Sequence, residues 1–255
     1  MKLFFQQYGS GEPLLIIHGL LGSLDNWHTL SKKFATSYRV LAIDVRNHGR
    51  SPHSDTLTYK AMAEDVIELM DAQHIHSAHL IGHSMGGKIA MRLALSSPER
   101  VVKLVVVDIA PRSYPRLHDE LLEALMSIDP GAFQSRQQVD DALSGKIPDL
   151  AVRQFLMKNL ARDSAGSFLW KANLEAISRH YKEIASEIRS SAPFLNPTLF
   201  VKGERSHYVL ESDTPFICRL FPNARIVSID AGHWIHAESP VLFADVVQQF
   251  LHDGS

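Results

Sequence analysis

The run Ala78-His79-Leu80-Ile81-Gly82-His83-Ser84-Met85-Gly86-Gly87-Lys88 joins two periodicities within eleven residues. The apolar residues before Gly82 read as a buried strand. After Ser84, Ile89, Leu93 and Ala94 recur at helix spacing. Between them, Gly82-His83-Ser84-Met85-Gly86 fits G-x-S-x-G. A strand that bends directly into a helix forces its central residue into a strained backbone and lifts the hydroxyl clear of the sheet. Gly82 and Gly86 remove side chains that would clash in so tight a turn. The helix start then aims free N–H groups and its positive dipole end at whatever the serine meets. A glycine-rich turn with an incidental serine is the plainer reading, but it does not explain why a strand and a helix flank the motif. Ser84 is therefore the candidate nucleophile.

Outward from this turn, the chain alternates short apolar runs with helical patterns. Leu14–Ile17, Arg39–Asp44, His79–Gly82, Leu104–Asp108, Thr198–Val201 and Arg225–Ile229 are such runs, most of them without polar alternation. Strands covered on both faces have that character. The expected class is α/β, a mostly parallel central sheet flanked by helices. The runs end in Gly, Asp, His or another polar residue, at the carboxyl edge where open α/β sheets place ligands. Helices are expected from Thr58 to Gln73 and from about Pro240 to Leu251. The segment 111–193 breaks the rhythm with helical stretches at 120–126, 152–158 and 174–177, and no strand run is visible among them. It reads as an inserted helical lid on a core formed by 1–110 and 194–255; a long helical connection is the duller alternative.

A serine hydroxyl needs a base to become a nucleophile at neutral pH. Of fourteen histidines, His233 has the best position, in Gly232-His233-Trp234 after the last strand run and before the closing helix. His236, three residues on, is the local competitor. Two addresses for the acid that would orient the imidazole stay open. Asp108 ends the run after the Ser84 helix, and Glu204 lies in the loop Lys202-Gly203-Glu204-Arg205-Ser206-His207; Asp108 is favoured. An oxyanion requires two N–H donors held before reaction. Met85, next after Ser84, supplies one, and Leu20 in His18-Gly19-Leu20-Leu21-Gly22-Ser23 is the candidate for the other. His18, ending a strand, reads as a hydrogen-bonded strut.

Composition excludes several classes. A net charge of −2 with scattered Lys and Arg offers no basic face for nucleic acid. No apolar stretch is long enough to span a bilayer, and the N-terminus loses its apolar character too soon for a signal peptide, so a cytoplasmic location is expected. Cys218 is the only cysteine, which rules out an internal disulfide, and it reads as a buried structural thiol. No His-Glu-x-x-His helix accompanies the histidines, so no metal is expected. Arg46, Lys88, Arg112, Arg153 and Lys158 offer cations for an anionic tail, although solvated surface charge is the simpler reading. Oligomeric state is not legible.

Five motifs in one order, His18–Ser23, Asp44-Val45-Arg46-Asn47-His48-Gly49-Arg50-Ser51-Pro52, Gly82–Lys88, Val107-Asp108-Ile109-Ala110-Pro111 and Gly232-His233-Trp234-Ile235-His236-Ala237, resemble the α/β-hydrolase fold family. More narrowly, they resemble the YbfF-type bacterial esterases and their abhydrolase-11 relatives. The resemblance covers nearly the whole chain and is weakest in the inserted segment. It implies a carboxylesterase or acyl-thioesterase acting on small-molecule or acyl-CoA-like esters without a cofactor, and carries over Ser84 and His233. Many α/β hydrolases place the acid as G-x-x-D after the later strand; here that slot reads Gly203-Glu204-Arg205-Ser206, which strengthens Asp108 and leaves Glu204 open through a shifted loop. A carbon–carbon bond hydrolase, a perhydrolase or a lyase would use the same equipment. A non-catalytic ligand receptor is the rival of another class.

Overall fold

The structure is a computed structural model that describes residues 1–253. Its strands are β1 (Phe5–Tyr8), β2 (Glu12–Ile17), β3 (Tyr38–Ile43), β4 (Ala78–His83), β5 (Val101–Val107), β6 (Leu160–Arg162), β7 (Phe168–Trp170), β8 (Thr198–Gly203) and β9 (Ala224–Ile229). Seven form one sheet in the order β1-β3-β2-β4-β5-β8-β9. Only β1 runs antiparallel, pairing Phe5 with Ile43 and Tyr8 with Val40. The other pairings are parallel. Because side chains alternate across a strand, each central strand feeds two cores. Leu15, Ile17, Leu80, Leu104, Val106 and Phe200 face one cluster. Leu14, Ile16, Ile81, Val105, Val107 and Val201 face the other. Both faces are apolar, which is why the strands read as unbroken runs.

Helices α1 (His28–Phe34) and α11 (Pro240–His252) cover the second cluster with Leu30, Phe34, Phe243 and Val247. Helices α2 (Tyr59–Ala72) and α3 (Met85–Ser96) cover the first with Met62, Val66, Leu69, Ile89 and Leu93. Thr58 caps α2 by accepting from the Ala61 N–H.

Between β5 and β8 the chain builds α4 (Asp119–Met126), α5 (Arg136–Ser144), α6 (Leu150–Leu156), α7 (Leu174–Arg179) and α8 (Tyr181–Ala185). The reading of this segment as free of strands is corrected: β6 and β7 pair antiparallel as a small separate sheet. Three-residue strands are too short to leave a period-2 signature. Leu122, Val139, Leu143 and Leu156 of this segment join the first cluster. The chain closes through α9 (Thr214–Leu220) and α10 (Ile235–Glu238). Cys218 is exposed, not buried; α9 buries Ile217 and Leu220 and turns the thiol outward. Among the described residues no helix is long and apolar enough to cross a membrane.

Candidate active site

Ser84 sits between β4 and α3 with φ 52° and ψ −119°. Five non-glycine residues among those described take positive φ, and Leu21, Ser84 and Asp108 are three of them. Such backbones cost about 1–3 kcal/mol each and survive only where the surroundings hold them. The hold on Ser84 is close packing: a Cβ on Gly82 would meet the Gly86 carbonyl at 2.3 Å, and one on Gly86 would meet the Ile17 carbonyl at 2.3 Å. The Ser84 N–H is fixed by Val107 O at 2.9 Å. Met85, the first residue of α3, has no helical acceptor for its N–H.

Asp108 lies one residue past β5, fully buried. Its N–H donates to Val201 O at 2.8 Å. Oδ1 accepts from the Gly203 N–H at 2.9 Å, and Oδ2 accepts from Nδ1–H of His233 at 2.7 Å. Ser206 Oγ also donates to Oδ2. Glu204, by contrast, is exposed and does not reach His233; β8 ends at Gly203 and turns the Glu204 side chain to solvent.

His233 follows β9 and is held on several sides. Its ring stacks on Tyr208, with centroids 3.9 Å apart and planes at 22°. His83 Nε2–H donates to the His233 carbonyl at 2.9 Å. Tyr208 is tied in turn to the inserted segment. Tyr181 OH accepts from the N–H groups of Leu117 and His118 and lies 2.6 Å from His118 Nδ1. That leaves Nε2–H of His118 to donate to Tyr208 OH at 3.3 Å. Burial holds His118 near pKa 4, so it is neutral in this role. No hydrogen bond joins Ser84 Oγ to His233 in this conformation, which is common without substrate; both side chains line one cavity.

Leu20 lies beside Ser84: a Cβ on neighbouring Gly19 would come within 3.2 Å of Ser84 Cβ. The loop is gripped through Leu21, whose N–H donates to His48 Nε2 at 3.2 Å and whose carbonyl accepts from Asn159 Nδ2. His18 is a strut, as expected: Nδ1–H donates to Gly19 O and Nε2 accepts from the Val45 N–H. Asp44 accepts from the N–H groups of Leu24 and Arg50, so the Asp44–Pro52 motif braces this loop. His236 lies on α10, buried against Trp27 with ring centroids 4.3 Å apart. It lines neither lobe of the cavity at Ser84.

That cavity has two lobes sharing Leu20, Ser84, His118 and Tyr208. The outer lobe, of about 180 Å³, is lined by His233, Leu121, Val152, Phe155 and Trp234. The inner, of about 30 Å³, is lined by Tyr59, Met85, Lys88, Tyr114, Tyr181 and Ile184. The reading of Lys88 as solvated is corrected. The helix that starts at Ser84 is covered by the inserted segment, so Lys88 is 1% exposed. Its Nζ donates to Arg112 O and Ser186 O, the two ends of that segment. Burial lowers its pKa to about 7. Arg46 is also buried, on Asp65, and Arg112 and Arg153 are paired with Asp213 and Asp140; Lys158 alone of the five is exposed. Among the described residues no cluster of three His, Cys, Asp or Glu side chains is arranged to hold a metal ion.

A hydroxyl, an imidazole with a buried carboxylate behind it and backbone N–H groups around one cavity can carry out acyl transfer. Residues 12–240 match the family model described as the alpha/beta hydrolase fold. The sn-1-specific diacylglycerol lipase ABHD11 of Danio rerio is 41% identical over 256 residues, covering 97% of this chain and 80% of that protein. Esterase YbfF of Escherichia coli is 36% identical over 250 residues, covering 97% of this chain and 96% of that protein. A solved structure described as a marine microorganism esterase superposes with a TM-score of 0.96 at 42% identity, covering 98% of this chain and 99% of that one.

Proposed function

This chain belongs to the α/β-hydrolase family and is a hydrolase of the esterase and lipase type, and from that premise we propose that it cleaves carboxylic esters through an acyl-enzyme on Ser84. Ser84 Oγ attacks the ester carbonyl as its proton passes to Nε2 of His233. Asp108 keeps the proton of His233 on Nδ1 and stabilises the imidazolium that forms. The N–H groups of Leu20 and Met85 hold the oxyanion; each such donor lowers the barrier by about 3 kcal/mol. The tetrahedral intermediate collapses, the bond to the alcohol oxygen breaks, and His233 protonates the departing oxygen. Water, giving its proton to His233, then attacks the acyl-enzyme, and the acid leaves as Ser84 recovers its proton.

The observation that carries this reading is the pairing of the fully buried Asp108 with His233 at 2.7 Å on the cavity that Ser84 lines. Residues 111–193 act as a lid, supplying the walls at Leu117, His118, Val152 and Ile184. Acyl thioesters undergo the same steps, with a leaving thiolate that asks less of His233. Turnover of p-nitrophenyl acetate and butyrate by wild type and Ser84→Ala tests the proposal. Wild type is expected to turn over repeatedly and the variant to lose nearly all activity; equal rates would refute it.

A further inference from the structure

We propose that the two lobes divide the ester between them, with the acyl chain in the inner lobe and the leaving alcohol in the outer, so that the enzyme selects short acyl groups on bulky apolar alcohols. This rests on the roles of Ser84 and His233 given above. The leaving oxygen takes its proton from His233 and must lie on that side of the carbonyl. His233 lines only the outer lobe, whereas Ser84 and Leu20 line both. The alcohol therefore points outward, and the acyl chain has the inner lobe left to it.

The sizes of the lobes then set the preference. The inner lobe, at about 30 Å³, is far smaller than the outer, at about 180 Å³, and so suits a short acyl chain. Its walls do not yield easily, because the hydroxyls of its tyrosines are tied down. Tyr59 OH donates to Ile184 O. Tyr114 OH donates to Tyr208 O and accepts from the Ala110 N–H. Tyr181 OH is held by Leu117 and His118. Lys88 closes the lobe, fixed by Arg112 O and Ser186 O. A longer chain must displace one of these rings, leaving a buried polar group unpaired, or push aside Leu117 at the exposed wall. The outer lobe is about 180 Å³, with Leu121, Val152, Phe155, Leu156 and Trp234 giving it apolar walls suited to a large alcohol.

The experiment compares kcat/KM for p-nitrophenyl acetate, butyrate, hexanoate and octanoate. Wild type is expected to peak at acetate or butyrate and to fall roughly tenfold or more by hexanoate. Ile184→Ala, which trims the inner lobe and keeps the carbonyl that holds Tyr59, is expected to raise the hexanoate-to-acetate ratio about tenfold. Leu117→Ala, at an exposed wall residue, serves if the first variant does not fold. Val152→Ala, in the outer lobe, is expected to shift the ratio of 2-naphthyl to ethyl acetate instead. Octanoate cleaved as fast as acetate by wild type, or acyl preference lengthened by Val152→Ala and not by Ile184→Ala, would overturn the assignment. Absence of turnover with every ester would defeat the hydrolytic reading itself, whereas a flat chain-length profile defeats only the division of the lobes.

Discussion

Ser206 Oγ donates to Oδ2 of Asp108, the same carboxylate oxygen that accepts from Nδ1–H of His233. Ser206, the last residue of Gly203-Glu204-Arg205-Ser206 after β8, thus supports the carboxylate that follows the neighbouring strand β5. Two N–H or O–H donors besides His233 satisfy the buried carboxyl oxygens of Asp108, as a carboxylate without water requires.

Asp108→Asn is expected to lower kcat about a thousandfold or more, since the amide cannot hold the same imidazole tautomer. Ser206→Ala removes one neutral donor and is expected to cost up to about tenfold, while Glu204→Gln is expected to stay within about twofold. Steady-state kinetics on one p-nitrophenyl ester ranks the three; a larger loss for Glu204→Gln than for Asp108→Asn would reverse the assignment of the acid.

Asn159 reaches from the inserted segment to the carbonyl of Leu21, whose left-handed backbone follows Leu20. Asn159→Ala is expected to lower kcat about tenfold with KM moved less than about threefold, because a loosened oxyanion loop weakens the transition state more than the ground state. Unchanged kcat would show that the loop holds its shape without the inserted segment.

His18 and His48 each donate through Nδ1–H to a carbonyl and accept an amide N–H at Nε2. Burial lowers their pKa values to about 4 and about 3. In the unfolded chain they titrate near 6.5, so between that pH and about 4 the folded state binds fewer protons than the unfolded one. Their contribution is fully present above about pH 6.5 and is lost as pH falls. Urea titrations are expected to show stability falling by roughly 1 kcal/mol per pH unit for each histidine from pH 6.5 to 5. A flat profile across that window would contradict the neutral, doubly bonded state.

The legible parts of this chain were those with a strong local signal. Five buried strands announce themselves as apolar runs because both faces of the sheet are covered there, β9 shows such a run although it is a partly exposed edge strand, and Ser84 and His233 follow strands with distinctive neighbours. β1 gave no such signal: Phe5–Tyr8 is a partly exposed edge strand, with no need of an apolar run. Lys88 looked like surface charge because nothing in its helix reveals that a segment twenty-four residues later folds over it. Tyr208, His118 and Asn159 escaped for the same reason. Their positions depend on how the inserted segment seats on the core, which is a tertiary fact with no sequence period behind it. Ser206 does carry a sequence signal, since it occupies the aspartate position of the G-x-x-D pattern.

The assignment of Ser84 as nucleophile is tested most directly by mapping a fluorophosphonate adduct. Intact-mass and peptide mass spectrometry are expected to find one adduct per chain, on Ser84, with ester turnover abolished in step with labelling and no adduct on Ser84→Ala. Labelling at another residue, or full turnover by enzyme whose Ser84 is blocked, would contradict it.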